Sequence, residues 1–290
     1  MKTWLLAIRP KTLSLAVVPV LVGTALAWAE WQTFHWGPLL ATLGAALLIQ
    51  IGTNLHNDVA DYERGADTPQ RLGPQRATAE GWLGARQVRR AAHLAFATAF
   101  VLGIYLVWLG GWPIAVLGLL SLAAGYAYTG GPRPLAYTPL GELFVWLFFG
   151  IAAVTGSAWL QGLQWSWLAP LTGAAVGLPA AAVLMVNNYR DLDTDREAGK
   201  HTLAVTLGRP AVRWLYAAAL CAPPLVTLAL RAAGIGGAQL FLPWLALPPA
   251  LVLVRQLWRA PIDAGLNRLL AATARWQLLF GGLLCLALVL

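Results

Sequence analysis

Two stretches of this 290-residue chain gather the side chains best suited to chemistry. One is Asn187-Asn188-Tyr189-Arg190-Asp191-Leu192-Asp193-Thr194-Asp195-Arg196, with Lys200 close behind. The other is Asn54-Leu55-His56-Asn57-Asp58-Val59-Ala60-Asp61-Tyr62-Glu63-Arg64-Gly65-Ala66-Asp67. Nine of the twelve acidic residues fall in these segments and the connection after the first: Asp58, Asp61, Glu63, Asp67, Glu80, Asp191, Asp193, Asp195 and Glu197. If the backbone is helical, Asn187, Asp191 and Asp195 share one face, each turned by about 40° from the last, and Asp193 points away. Asn57 and Asp61 repeat that spacing, with Gly65 in the third place and Asp67 as the next carboxylate. An amide and two carboxylates in a row, with cations behind them, suit a divalent metal that holds a polyphosphate. A lone motif of this kind also fits polar residues that merely finish a helix; the second copy favours the metal.

Hard oxygen donors in this number point to Mg²⁺, which uses one or two carboxylates and completes its octahedron with water and phosphate oxygens. Cys221 and Cys285 lie inside apolar runs, so neither a disulfide framework nor a thiol metal site is expected. His56 is one helix position off the Asn57 face and reads as a local contact, which disfavours zinc. Cations for a phosphate are close in sequence: Arg64, Arg71 and Arg76 after the first motif, Arg190, Arg196 and Lys200 around the second. Arg133 is the only basic residue of its loop and follows the hydroxyl of Tyr128.

The elements that must position these groups are apolar. Hydrophobic residues make up 59% of the chain and charged ones 11%, a balance that leaves too little polar surface for a soluble globule and implies an all-α integral membrane protein. So few charges argue against a nucleic-acid partner, and topology explains the +8 better. Nine apolar runs are long enough to read as spanning helices: Leu13 to Ala29, Trp36 to Asn57, Val88 to Leu109, Trp112 to Tyr128, Leu140 to Leu160, Trp165 to Asn187, Val212 to Leu230, Gly236 to Val254 and Leu270 to Leu290. The first is long for a cleaved signal peptide and is kept as a span. With this topology, nineteen of the twenty basic residues fall on one side and only Arg231 on the other, which places the amino terminus and both acidic motifs in the cytoplasm. Each motif then opens a long connection (58–87 and 189–211), of the kind that caps a site. The motifs close the second and sixth runs, a spacing that resembles a diverged duplication. Most of the fifteen tryptophans sit near run ends and read as interfacial anchors.

The paired motifs, their place after the second and sixth helices and the nine runs resemble the membrane aromatic prenyltransferases of the UbiA superfamily. Arg9-Pro10-Lys11-Thr12, the Asn54 to Thr68 segment, Arg71-Leu72-Gly73-Pro74 and Tyr128-Thr129-Gly130-Gly131-Pro132 look most like those of 1,4-dihydroxy-2-naphthoate prenyltransferases. The resemblance runs along nearly the whole chain, 1–290, as one domain, and implies a UbiA-type bundle around a central cavity in the cell membrane. It implies that Asn57, Asp61, Asn187, Asp191 and Asp195 bind two Mg²⁺ ions, with Asp67 standing in where Gly65 departs from the first motif's third acid. It also implies that Arg9, Arg64, Tyr128, Arg133 and Lys200 meet the diphosphate of a polyprenyl diphosphate. The implied reaction joins the prenyl group to 1,4-dihydroxy-2-naphthoate, releases CO₂ and gives a demethylmenaquinone precursor. Two rivals remain at this stage. One is a relative acting on 4-hydroxybenzoate or homogentisate; the other is a cation-coupled transporter, which would need charged or broken segments at mid-bilayer rather than acids gathered at one face.

Overall fold

The computed structural model describes residues 2–65 and 72–290, so Asp67 and Arg71 lie outside the described residues. Among them the chain is helical with no strands. A short helix, α1 (Lys2–Ile8), precedes nine apolar helices: α2 (Ser14–Trp31), α3 (Trp36–Glu63), α4 (Ala85–Gly110), α5 (Trp112–Ala127), α6 (Gly141–Gly162), α7 (Leu168–Glu197), α8 (Leu203–Ala232), α9 (Ala238–Arg259) and α10 (Leu266–Val289). Every predicted run is one of these. Eight are long and apolar enough to cross a bilayer, whereas α5 has 16 residues, about 24 Å of axis, short of about 30 Å of hydrocarbon.

Burial sorts the helices into centre and rim. In α7, 72% of the spanning window is buried, against 22% in α4. The central helix packs on α2, α6, α8 and α10. Its approach to α6 rests on missing side chains: a Cβ on Gly150 would come within 2.4 Å of the Gly173 carbonyl oxygen, and one on Gly177 within 2.4 Å of the Trp146 carbonyl. Small residues four apart let two backbones meet in this way where lipid offers no hydrophobic drive. At the rim, Trp36, Trp108, Trp112, Trp165 and Trp167 are exposed, as interfacial anchors should be.

The helices run further than the apolar pattern suggests. Hydropathy ends near Asn57 and Asn187, but α3 continues to Glu63 and α7 to Glu197. The 189–211 segment is therefore not the expected loop: only 198–202 is non-helical, and α8 starts at Leu203 with a kink at Gly208. The acids favour this because neighbouring cations and amides satisfy them on the helix surface. In the 58–87 cap, by contrast, 72–84 is non-helical and is pinned by Asp58, whose buried carboxylate accepts the backbone N–H groups of Ala77 (3.1 Å) and Thr78 (2.9 Å). Asp58 is thereby a structural clamp on the cap.

Candidate active site

Because both motifs are helical, their four-residue spacing becomes contact. Asn57 Nδ2 donates to Asp61 Oδ2 at 2.9 Å, one turn on. Gly65 ends the face: α3 stops at Glu63 and Gly65 turns the chain with φ 66°. That left-handed conformation strains any residue with a Cβ. A third acid at this place would not lie on the helix, which accounts for the departure of the first motif from its pattern.

Cations from distant parts of the chain converge on this pair. Arg9 Nη2 donates to Asn57 Oδ1 at 2.7 Å, and Arg76 reaches both Asn57 Oδ1 (2.6 Å) and Asp61 Oδ2 (3.1 Å). Tyr137, from the connection between α5 and α6, donates its hydroxyl to Asp61 Oδ1 at 3.2 Å. In the second motif, Arg190 is 1% exposed and grips Asp191 with two bonds, Nε to Oδ1 at 2.7 Å and Nη2 to Oδ2 at 2.5 Å. The same guanidinium donates to Asn187 Oδ1 (2.9 Å) and to Asn267 Oδ1 of α10 (2.5 Å). Asp195 pairs with Lys200 at 3.5 Å. Buried charges are costly unless paired in good geometry, and these bidentate and shared bonds supply it.

Tyr137 joins the halves. Its hydroxyl is on Asp61, and the Lys200 ammonium lies 4.7 Å from its ring centroid, with the Arg64 guanidinium at 5.6 Å. Tyr137 O also accepts the His201 backbone N–H at 2.9 Å. The α5–α6 connection thus ties the end of α3 to the segment after α7.

A cavity of about 790 Å³ opens at this junction. At one end it is lined by Arg9, Asn57, Asp61, Arg76, Tyr128, Tyr137, Asn187, Asp191, Asp195 and Lys200. From Asp61 it follows α3 down to Thr42, about 28 Å of helix axis, and there the walls are apolar, with Ile114, Phe149 and Leu160 among them. Phe100 and Ile104 of α4 line it while remaining half-exposed. It lies among α2 to α7; α8 and α9 give it no described lining residue. Tyr128, at the end of α5, brings its phenol to the same wall.

The structure separates the sequence candidates. Asn57, Asp61, Asn187, Asp191 and Asp195 come together with Arg9, Tyr128 and Lys200. Arg133 does not join them: it is exposed and off the cavity wall. Arg64 is exposed too and serves the fold, donating to the carbonyl oxygens of Thr129 and Gly131. His56 stacks on Tyr126 at 4.6 Å and is absent from the lining. Asp193 points outward to Arg209 at 2.9 Å. Arg76 was one of several loop cations in the sequence, and nothing in spacing distinguished it. Tyr137 carried no signal, since its role comes only from where the α5–α6 connection folds.

The sequence pattern of the UbiA prenyltransferase family matches residues 16–279. The chain belongs to that family. Among relatives of this UbiA-family chain, the 1,4-dihydroxy-2-naphthoate octaprenyltransferase of Escherichia coli (strain K12) is 42% identical over 237 residues, 79% of this chain and 76% of the relative. The enzyme of the same name from Bacillus subtilis (strain 168) is 32% identical over 282 residues, 97% of this chain and 90% of that one. The fold is also that of solved structures. A UbiA homolog from Aeropyrum pernix K1 superposes with a TM-score of 0.71 at 17% identity, covering 95% of this chain and 97% of the homolog. A UbiA homolog from Archaeoglobus fulgidus bound to GPP and Mg²⁺ superposes with a TM-score of 0.69 at 14% identity, covering 99% of each.

Proposed function

We propose that this membrane protein transfers a polyprenyl group from a polyprenyl diphosphate to 1,4-dihydroxy-2-naphthoate, with loss of diphosphate and CO₂, to give the prenylated hydroquinone that is the reduced precursor of demethylmenaquinone. The observation that carries the reading is the two-part cavity, in which a charged end built from both acidic motifs continues into a long apolar tunnel. A diphosphate with an isoprenoid tail has that shape and polarity. The names of the relatives support the acceptor, since those from Escherichia coli and Bacillus subtilis refer to the dihydroxynaphthoate and that of a Synechocystis relative, 31% identical, to a carboxynaphthoquinone.

The charged end fits a hard divalent cation. Asn57, Asp61, Asn187, Asp191 and Asp195 offer only oxygen donors there, and a carboxylate oxygen bonded to arginine keeps acceptor capacity. Among the described residues no three His, Cys, Asp or Glu are grouped closely enough to hold a metal alone. Mg²⁺ fills its octahedron with phosphate oxygens and water beside one or two carboxylates, and the Archaeoglobus fulgidus homolog was solved bound to GPP and Mg²⁺. We assign these five residues to two Mg²⁺ ions, which when bound supply positive charge against the departing diphosphate.

The chain's own groups do the remaining tasks. Arg9, Arg76, Lys200 and the Tyr128 hydroxyl face the diphosphate and stabilise the negative charge that grows as the allylic C–O bond breaks, more in the transition state than before it. The apolar walls hold the isoprenoid and exclude water, which would otherwise quench the allylic cation before the electron-rich ring attacks it. We infer that a lipid-soluble substrate enters from the bilayer beside Phe100 and Ile104, which line the cavity and are half-exposed. The excess of basic residues at the motif end supports a site that faces the cytoplasm across the cell membrane.

The test is incubation of purified protein in detergent with Mg²⁺, a polyprenyl diphosphate and a panel of aromatic acids. Turnover is expected with the dihydroxynaphthoate and is abolished by EDTA. Turnover with 4-hydroxybenzoate in its place would replace the acceptor, and activity that survives EDTA would remove the metal from the reading.

A further inference from the structure

One polar pair on the cavity wall has no part in the metal and diphosphate chemistry. Asn188, next to Asn187 and one turn before Asp191, lines the cavity, and its Nδ2 donates to Glu142 Oε1 at 2.9 Å. Glu142 opens α6 and is 4% exposed; Oε2 has no hydrogen-bond partner, and the side chain makes no ion pair among the described residues. A carboxylate without a cation is costly in a spanning helix. Its side-chain partner here is the Asn188 amide.

The pair has a directional consequence. The Asn188 NH₂ group faces the Glu142 carboxyl, whose Oε1 accepts from it. Asn188 Oδ1 is then the outward group, with no partner among the described residues, on a side chain that borders the cavity where the charged end meets the apolar tunnel. An amide oxygen at that place calls for a ligand with a hydrogen to donate. Neither an ionised diphosphate nor an isoprenoid tail has one; a hydroxylated aromatic ring does. The neighbouring wall suits such a ring, because Phe144 and Phe148 of α6 also line the cavity, nearly parallel at 6.0 Å. Between Leu147 and Ala152 the α6 backbone widens to a π-type turn, a feature frequent at functional sites.

We propose that Asn188, held in one orientation by Glu142, receives a ring hydroxyl of the aromatic acceptor, with the ring face against Phe144 and Phe148. The proposal rests on the prenyltransferase reading above. Asn188 touches substrate in this arrangement; Glu142 is a positioning residue that acts through it.

Steady-state kinetics with each substrate varied in turn separate the two ideas. Asn188→Ala should raise KM for the dihydroxynaphthoate by about tenfold, the scale of one lost hydrogen bond in a dry site, and leave KM for the polyprenyl diphosphate within about twofold. Glu142→Ala should show the same split. Glu142→Gln, whose amide oxygen still accepts from Asn188, should bring the acceptor KM back to within about threefold. If Glu142→Ala does not fold, Asn188→Ala and Glu142→Gln decide alone. An unchanged acceptor KM in Asn188→Ala, or an equal rise for both substrates, overturns the assignment while the prenyltransferase reading stands. Failure of the wild-type protein to use any hydroxylated aromatic acid overturns both.

Discussion

The two acidic motifs have the same spacing and reach charge balance by different routes. At the end of α3, the partners of Asn57 and Asp61 come from far away: Arg9 from the connection before α2, Arg76 from the cap, and Tyr137 from beyond α5. At the end of α7, Asp191 is held by the very next residue, Arg190, and Asp195 by Lys200 five positions on. The first half of the site is therefore assembled by folding, while the second half is largely carried on one helix and the turn after it. The halves are not independent. Asn267 accepts from Arg190 and donates to the Leu72 carbonyl of the cap at 2.9 Å, and Tyr137 spans from Asp61 to Lys200.

The comparison is broken most severely by removing the acids. Asp61→Ala and Asp191→Ala should each lower kcat/KM by about 10²–10³-fold, a magnitude typical of lost transition-state charge stabilisation. Full activity in either variant, measured by prenylated product, would mean that one motif suffices. Next come the buried arginines. Arg190→Ala leaves Asp191 buried without its cation and cuts the tie to α10, so it should cost about 3–5 kcal/mol of stability, read as a lower unfolding temperature in detergent. Arg76→Ala should do less to the whole fold, because it anchors a cap rather than the central helix, and more to KM for the polyprenyl diphosphate. A similar loss of stability in both would erase the contrast between a locally and a remotely balanced motif.

Smaller effects sharpen the same picture. Lys200→Ala should raise KM for the polyprenyl diphosphate by about tenfold, as one charge-assisted bond is lost, while Lys200→Arg retains the charge and most of the affinity. The smallest effect is expected at Arg133. Being exposed and off the cavity wall, Arg133→Ala should stay within about twofold of wild type, and a tenfold loss would show that this side chain reaches the diphosphate after all.

Much of this was legible without coordinates. Apolar runs marked all nine apolar helices, eight of them of bilayer length, and the four-residue spacing named five of the oxygen donors that line the cavity. The second motif was the easier to read, because Asp191, Asp195, Arg190 and Lys200 are sequence neighbours. The boundaries were less legible. Hydropathy reports where an apolar run ends, not where a helix ends, so the helical continuation through the motifs was read only as a condition of their spacing, and 189–211 looked like a loop. Among the cations, proximity in sequence misled: Arg133 and Arg64 follow suggestive motifs yet serve the surface and a turn, whereas Arg76 was indistinguishable from its neighbours.

What the chain's order of residues determined is everything that helical periodicity and transfer from water can enforce: spanning segments, the shared face of Asn57 and Asp61, the shared face of Asn187, Asp191 and Asp195, and the end of the first face at Gly65. Those effects act within a few residues or on one segment at a time. Only the tertiary structure decided that the two faces border one cavity, that Arg9, Arg76 and Tyr137 meet Asn57 and Asp61, and that Glu142 orients Asn188. Such meetings depend on how α6, α7 and the connections between helices pack, and packing is a property of all the side chains together, with glycines at 150, 173 and 177 setting how closely the helices approach.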